Sequence, residues 1–299
     1  MKVVVAGGTG FLGRAITSEL LAAGHEVAVM SRFAQGAATP DARPSRVQGD
    51  VTRPETLSSA LQGADVVVDA VQFPGSPMEN PKKGFTFERI DLEGTRNLVE
   101  AARSAGVGLF IGLSGVGAAK DAPYHWLRYK WDEEQAIRES GVPFTIFRPS
   151  WVYGPGDVSL NRFLGFAQVL PFVPVIGNGK TVLNPLFVDD LGRHVAAAVE
   201  NTSARGRLFE IGGPDRVTMN DVVRAALRAA GKRRFLFHQP KPLMKAVASV
   251  AQLLPGPPLT PDAIDFVTME AIADTRDLEG VFGLRLTPID EALSSYLPR

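Results

Sequence analysis

The run Val3-Val4-Val5-Ala6-Gly7-Gly8-Thr9-Gly10-Phe11-Leu12-Gly13 constrains this chain more than any other feature. An unbroken apolar stretch that ends in glycine reads as a strand buried on both faces. The apolar residues that follow, Phe11, Leu12, Ala15, Ile16, Leu20 and Leu21, recur at helical spacing and stop at Gly24. Strand, glycine turn and helix in that order aim free amide N–H groups and the positive helix end at an anion, and the spacing Gly7-x-x-Gly10-x-x-Gly13 suits a diphosphate. Gly7 permits the tight turn, Gly10 lets phosphate approach the backbone, and Gly13 lets helix and strand pack closely. Gly7, Thr9, Gly10, Phe11, Leu12 and Gly13 are therefore the candidate contacts to a bound dinucleotide.

Strand-like and helix-like segments alternate through the first half, which argues for a parallel sheet covered by helices. Further strands are expected at Glu26 to Met30, Arg46 to Gly49, Ala64 to Val71, Leu109 to Leu113 and Pro143 to Arg148. A helix started by Pro54, a long one from Phe85 to Ala105 and one around 125–140 supply the crossovers. The predicted fold is α/β, a Rossmann-type doubly wound parallel sheet of six strands over residues 1–150. Beyond residue 150 prolines and glycines punctuate shorter elements, which predicts a smaller substrate or partner lobe over 151–299, interwoven with the first.

Composition narrows the partners. The 32 basic and 32 acidic side chains cancel, so no overall field draws in nucleic acid. With no cysteine and four scattered histidines, neither thiolate chemistry nor a metal-ligand spacing is expected. Met1 leads straight into a core strand and no apolar run approaches the ~20 residues of a membrane span, so the expected location is cytoplasmic, with peripheral membrane attachment as the alternative.

The end of the second strand discriminates between the two nicotinamide cofactors. A carboxylate there would bond the ribose 2′-hydroxyl, whereas a cation can hold a 2′-phosphate. The chain reads Val29-Met30-Ser31-Arg32, so Ser31 and Arg32 favour NADP(H), with NAD(H) as the alternative. Asp50 and Val51, after the third strand, fall where the adenine edge would lie, although Asp50 serves equally as a turn residue. Ala70, Val71 and Pro149, at later strand ends, complete the candidate cofactor set.

Several motifs together carry a resemblance. The glycine run, Asp91-Leu-Glu-Gly-Thr-Arg-Asn97, Arg148-Pro-Ser-Trp-Val-Tyr-Gly-Pro-Gly156, Pro185-Leu-Phe-Val-Asp-Asp190 and Phe209-Glu-Ile-Gly-Gly-Pro214 resemble the extended and atypical short-chain dehydrogenase/reductases over nearly the whole chain. Within that superfamily the chain looks most like proteins related to the nucleotide-binding accessory subunit of respiratory complex I and like NmrA-like members. The resemblance implies a Ser/Tyr/Lys site in which tyrosine moves the proton while nicotinamide moves the hydride. Ser114 matches the serine and Lys130 the lysine. One helical turn before Lys130 stands Trp126, whose indole cannot act as an acid at any accessible pH. Tyr124, six residues before Lys130, lies about 120° away on an ideal helix and reaches the site only if the helix starts after it. Tyr129, next to Lys130, points about 100° away, and Tyr153, in the loop after the sixth strand, is a further candidate expected rather to pack as an aromatic.

Two readings follow. One is an NADP(H)-dependent oxidoreductase in which Lys130, with Ser114 or Tyr124, supplies a proton to a small, rather apolar carbonyl or quinone-like substrate, Phe163, Phe166, Phe172 and Val173 being candidate lining. A desolvated lysine can have its pKa brought toward neutrality, which such a role needs. The other is a non-catalytic NADPH-holding scaffold, assembly factor or redox sensor, which the complex I likeness supports. Leu243, Met244, Val247, Val250, Ala251 and Leu254 form an apolar stripe up to Pro255-Gly-Pro-Pro258. The stripe is expected to pack inward and close the lobe, with a membrane or protein partner helix as the alternative. Asp189 and Asp190 are expected to open a helix rather than bind a metal.

Overall fold

The structure, a computed structural model, describes residues 1–33, 44–252 and 259–297. Leu254 and Pro255 to Pro258 of the apolar stripe and its predicted stop lie outside the described residues. Six strands fall where alternation predicts them: β1 (Lys2–Ala6), β2 (Glu26–Ser31), β3 (Ser45–Gln48), β4 (Val66–Asp69), β5 (Leu109–Leu113) and β6 (Phe144–Pro149). After the short strands β7 (Val152–Tyr153), β8 (Phe172–Ile176), β9 (Val182–Leu183) and β10 (Leu186–Phe187) comes β11 (Arg207–Ile211), which joins the sheet as a seventh strand. The order is β11-β6-β5-β4-β1-β2-β3, with every pair parallel. The expected count of six is thus corrected to seven. The strand Arg207–Ile211 carries two charged residues in five and has little apolar pattern to announce it.

Helices cover both faces. On one face lie α2 (Leu57–Ala60), α3 (Glu93–Ser104) and α4 (His125–Glu139); on the other, α1 (Phe11–Ala22) packs against α6 (Val188–Glu200). The alternation of strand side chains decides the division: Val4 and Ala6 join the first core, Val3 and Val5 the second. That double burial is why Val3 to Ala6 run without a polar residue. The predicted long helix from Phe85 divides into a π-helical turn over Phe87–Leu92 and α3, and the helix expected from Pro54 is a 3₁₀ turn followed by the single turn of α2.

A third core sits in the second half, built from α5 (Ser159–Val169), β8, α7 (Met219–Ala229) and α11 (Ile289–Tyr296). The remaining elements are β12 (Val217–Thr218), β13 (Phe235–Gln239), α8 (Lys241–Ala251), α9 (Pro261–Thr268), whose Phe266 packs on the first core, and α10 (Arg276–Phe282), whose Leu278 belongs to the second. From the same half of the chain, β11 joins the seven-stranded sheet and α6 packs on α1 over its second face. Asp189 and Asp190 stand in the first turn of α6, where Asp190 accepts bonds from the Thr287 amide and hydroxyl.

Candidate functional site

The sheet order reverses between β1 and β4, and the crevice at such a switch point is where doubly wound sheets bind ligands. Here a cleft of about 470 Å³ opens over the strand ends. At its floor the glycine loop is fixed by sterics. Gly7 has φ +75°, and a Cβ on it would lie 2.5 Å from the Ala70 carbonyl oxygen. Gly13 faces back into the loop, where a Cβ would overlap the Gly7 carbonyl. Gly10 is the N-cap of α1 and no side chain caps the helix, so the first-turn amides face the cleft mouth. The Arg14 guanidinium donates to the Thr9 carbonyl at 2.9 Å and pins the loop. An uncapped helix end behind a side-chain-free turn fits a diphosphate.

The cleft brings together Gly7, Thr9, Gly10, Phe11 and Leu12 at one end, Ser31, Arg32, Asp50 and Val51 at the β2–β3 side, and Ala70, Val71, Ser114 and Lys130 at the other. Three of the cofactor and proton-transfer candidates stand outside its lining: Gly13 acts behind the loop as a spacer, and neither Pro149 nor Tyr124 borders the cleft. Arg32 lines the cleft, its guanidinium 5.7 Å from the Phe33 ring and 5.9 Å from that of Phe85. The Ser31 hydroxyl donates to the Phe33 carbonyl. Asp50 spends its carboxylate on its own turn, accepting from the Thr52 amide and hydroxyl at 2.9 and 2.8 Å, which is the turn role. Gln72, Phe73 and Pro74, in the loop after β4, also line the cleft and carry no motif by which sequence reading could have found them.

Lys130 projects from α4 into a cage of carboxylates. Its ammonium is 2.9 Å from Glu133 and 3.4 Å from Asp91. Asp69, at the end of β4, accepts from the Thr95 hydroxyl at 2.7 Å and stands behind them. Burial works against the lysine's charge, yet Glu133 and Asp91 outweigh it and hold the pKa above the ordinary lysine range. The expectation of a lysine tuned toward neutrality is therefore corrected, because desolvation is only one of two opposing effects. The same burial pushes Asp91 up to about 6 and Glu133 up to about 8, against the pull of Lys130. Three ionised carboxylates beside one ammonium would leave uncompensated negative charge in the interior, so the cage retains a proton.

A stability consequence follows. A carboxyl whose folded pKa exceeds its unfolded one binds its proton more tightly when folded, so stability is full at low pH and is lost as pH rises through the folded value. The melting temperature should fall by several degrees between pH 6 and 9, and Glu133→Gln should flatten that slope. Identical slopes for both proteins would show that Glu133 does not hold the proton.

The other proton-transfer candidates are also engaged elsewhere. The Ser114 hydroxyl donates to Glu134 at 2.5 Å, and Glu134 is gripped by Arg148 through two bonds of 2.7 Å. Tyr124 is the N-cap of α4, so the helix does start after it, but its ring stacks on Trp126 at 4.5 Å. Trp126 is 2 % exposed and belongs to the core. Tyr153 is fully buried against Trp151 and Phe187. Phe163, Phe166, Phe172 and Val173, expected as substrate lining, do not border the cleft; Phe163 and Val173 serve the third core instead. Sequence reading missed Glu133 and Glu134, although the spacing Lys130-x-x-Glu133 places the first within reach on one helix face.

The relatives agree with this geometry. A family model described as NAD(P)H-binding matches residues 7–161, more than half of the chain. The chain is 27 % identical over 257 residues to the mitochondrial NADH dehydrogenase [ubiquinone] 1 alpha subcomplex subunit 9 of Arabidopsis thaliana, covering 82 % of this chain but only 62 % of that relative's length. It is 24 % identical over 252 residues to the photosystem II assembly factor Ycf39 of Trieres chinensis, covering 84 % and 76 %. Among solved structures, a UDP-glucuronic acid 4-epimerase from Bacillus cereus in complex with NAD superposes with a TM-score of 0.76 at 18 % identity, over 98 % and 96 % of the two chains. The glycine turn, the switch-point cleft and descent all lead to one assignment: this chain belongs to the NAD(P)H-binding family and has the Rossmann-like fold of the short-chain dehydrogenase/reductases.

Proposed function

We propose that the protein holds NADP(H), in preference to NAD(H), without turning it over, as the cofactor-loaded component of a larger protein assembly. One observation supports this reading: among the described residues, the proton-transfer candidates Lys130, Ser114 and Tyr124 are each tied down or turned away. Lys130 is clamped by Glu133 and Asp91, Ser114 is bound to Glu134, Tyr124 is stacked on Trp126, and the tyrosine position itself is Trp126. When bound, the nicotinamide supplies hydride chemistry; this chain's residues bind and orient it. The glycine loop and the uncapped end of α1 would hold the diphosphate, Arg32 the 2′-phosphate, and the Lys130 ammonium the nearby ribose. The names of the relatives, a subunit of NADH dehydrogenase [ubiquinone] and a photosystem II assembly factor, are those of proteins that act with larger assemblies and support a role beside a protein partner.

The second reading, an oxidoreductase acting on a small, rather apolar carbonyl or quinone-like compound, has one observation in its favour. Lys130 is an ammonium in the cleft with the protonated cage behind it. Purified protein loaded with NADPH and mixed with a short-chain quinone or aldehyde separates the two. Nicotinamide absorbance should decay no faster than without protein, and consumption that vanishes in Lys130→Ala would overturn the holding role. Calorimetric titration tests the preference. Arg32→Glu should weaken NADPH binding by roughly tenfold or more and leave NADH nearly unchanged, since a charge-assisted contact to phosphate is lost. Equal affinities in the unaltered protein would remove Arg32 from the 2′-phosphate.

A further inference from the structure

The segment from Lys232 to Pro261 contains Lys232, Arg233, Arg234, Lys241 and Lys245 and no acidic residue, in a chain whose charges balance overall. Among the described residues, five of the nine exposed large apolar side chains lie in the same segment. On α8, Leu243, Val247 and Val250 are 58 %, 53 % and 69 % exposed, while Ala248 is buried. At 100° per residue the exposed three fall on one face, with Ala246 beside them. Lys241 and Lys245 fall on the opposite face, where Asp265 of α9 binds both at 3.0 and 2.8 Å. The stripe was expected to pack inward. The structure turns it the other way and spends the helix's charges on the inner contact.

The preceding strand repeats the pattern. Phe235 and Phe237 of β13 project on one side, 61 % and 49 % exposed, and gather around Phe172 at 5.7 and 5.4 Å. Pro240 alone separates β13 from α8. Just before the strand, Lys232 and Arg233 are exposed and make no ion pair among the described residues. The outer face of α8 is apolar and uncharged, and the exposed cations of Lys232 and Arg233 beside the strand complement a surface of negative sign. Among the described residues no helix is long and apolar enough to cross a membrane, so attachment would be interfacial.

We infer that β13 and α8 form a docking surface for an anionic lipid bilayer, with Phe235, Phe237, Leu243, Val247 and Val250 entering the headgroup boundary and Lys232 and Arg233 meeting lipid phosphates. The full chain should co-sediment with vesicles of equimolar phosphatidylserine and phosphatidylcholine, be released by high salt, and ignore pure phosphatidylcholine. Val247→Glu with Val250→Glu, and separately Lys232→Glu with Arg233→Glu, should each weaken binding by about tenfold or more. All four positions are exposed, so both variants should keep the unaltered melting temperature and NADPH affinity. Failure of the unaltered chain to bind anionic vesicles, or binding unchanged in either double variant, overturns the assignment. So does a concentration-dependent dimer, without vesicle binding, that Val247→Glu with Val250→Glu dissolves, since that gives the face to a second copy of this chain.

Discussion

Gly13→Val should lower NADPH affinity by about 100-fold, roughly 2.7 kcal/mol, and lower the melting temperature as well. The position has no unusual backbone conformation; what it lacks is room. A Cβ there would overlap the Gly7 carbonyl and come within 2.6 Å of the Gly8 Cα, and both obstacles are backbone that no rotamer change can move. The start of α1 must withdraw from the loop, which spoils the alignment of the amides that face the diphosphate. Gly165→Ala on α5 is the matching control. Nothing lies within 4 Å of a Cβ there, so that change should leave affinity alone and stabilise the helix by about 0.5–1 kcal/mol. If Gly13→Val binds NADPH as the unaltered protein does, the close approach of α1 to the loop is not what positions the anion site.

Glu134→Ala should cost about 3–5 kcal/mol, seen as a melting temperature lower by roughly 5–8 °C. Glu134 is fully buried and accepts two bonds from Arg148 and one from Ser114. Its removal leaves a largely buried guanidinium with Glu210 as its remaining carboxylate neighbour, at 3.9 Å. Most of the expected loss is the uncompensated charge rather than the worth of the pair. Glu134→Leu combined with Arg148→Met should therefore recover much of it. A double variant no more stable than Glu134→Ala would show that the pair itself, not its half-removal, carries the energy.

Much of the site was legible in the chain because local rules write it. The Val3 to Gly13 run encodes a doubly buried strand, a turn that excludes side chains and a helix start within a few residues, and sterics over that distance leave little choice. Arg32 in place of a carboxylate after β2 is equally local. The parts that escaped depend on distant residues. Arg207–Ile211 has weak strand pattern and becomes the seventh strand only because β6 offers an open edge, with Phe209 registered on Phe147. The cage around Lys130 gathers Asp69 from β4, Asp91 from the π-helical turn and Glu133 from α4. None of them advertises its neighbours in sequence.

The stripe on α8 shows the boundary most plainly. Its period is the same whether the helix faces a core or solvent, so periodicity established a helix with one apolar face and nothing about where that face points. Sequence by itself determined the glycine cradle, the parallel sheet and the absence of tyrosine one turn before Lys130, because these rest on backbone sterics and residue chemistry within a turn or a strand. Only the tertiary structure decided that Lys130 stays charged and that α8 turns its apolar face outward. Both outcomes are set by long-range placement: carboxylates from separate elements outweigh the lysine's desolvation, and Asp265 on the neighbouring helix α9 binds the charged side of α8.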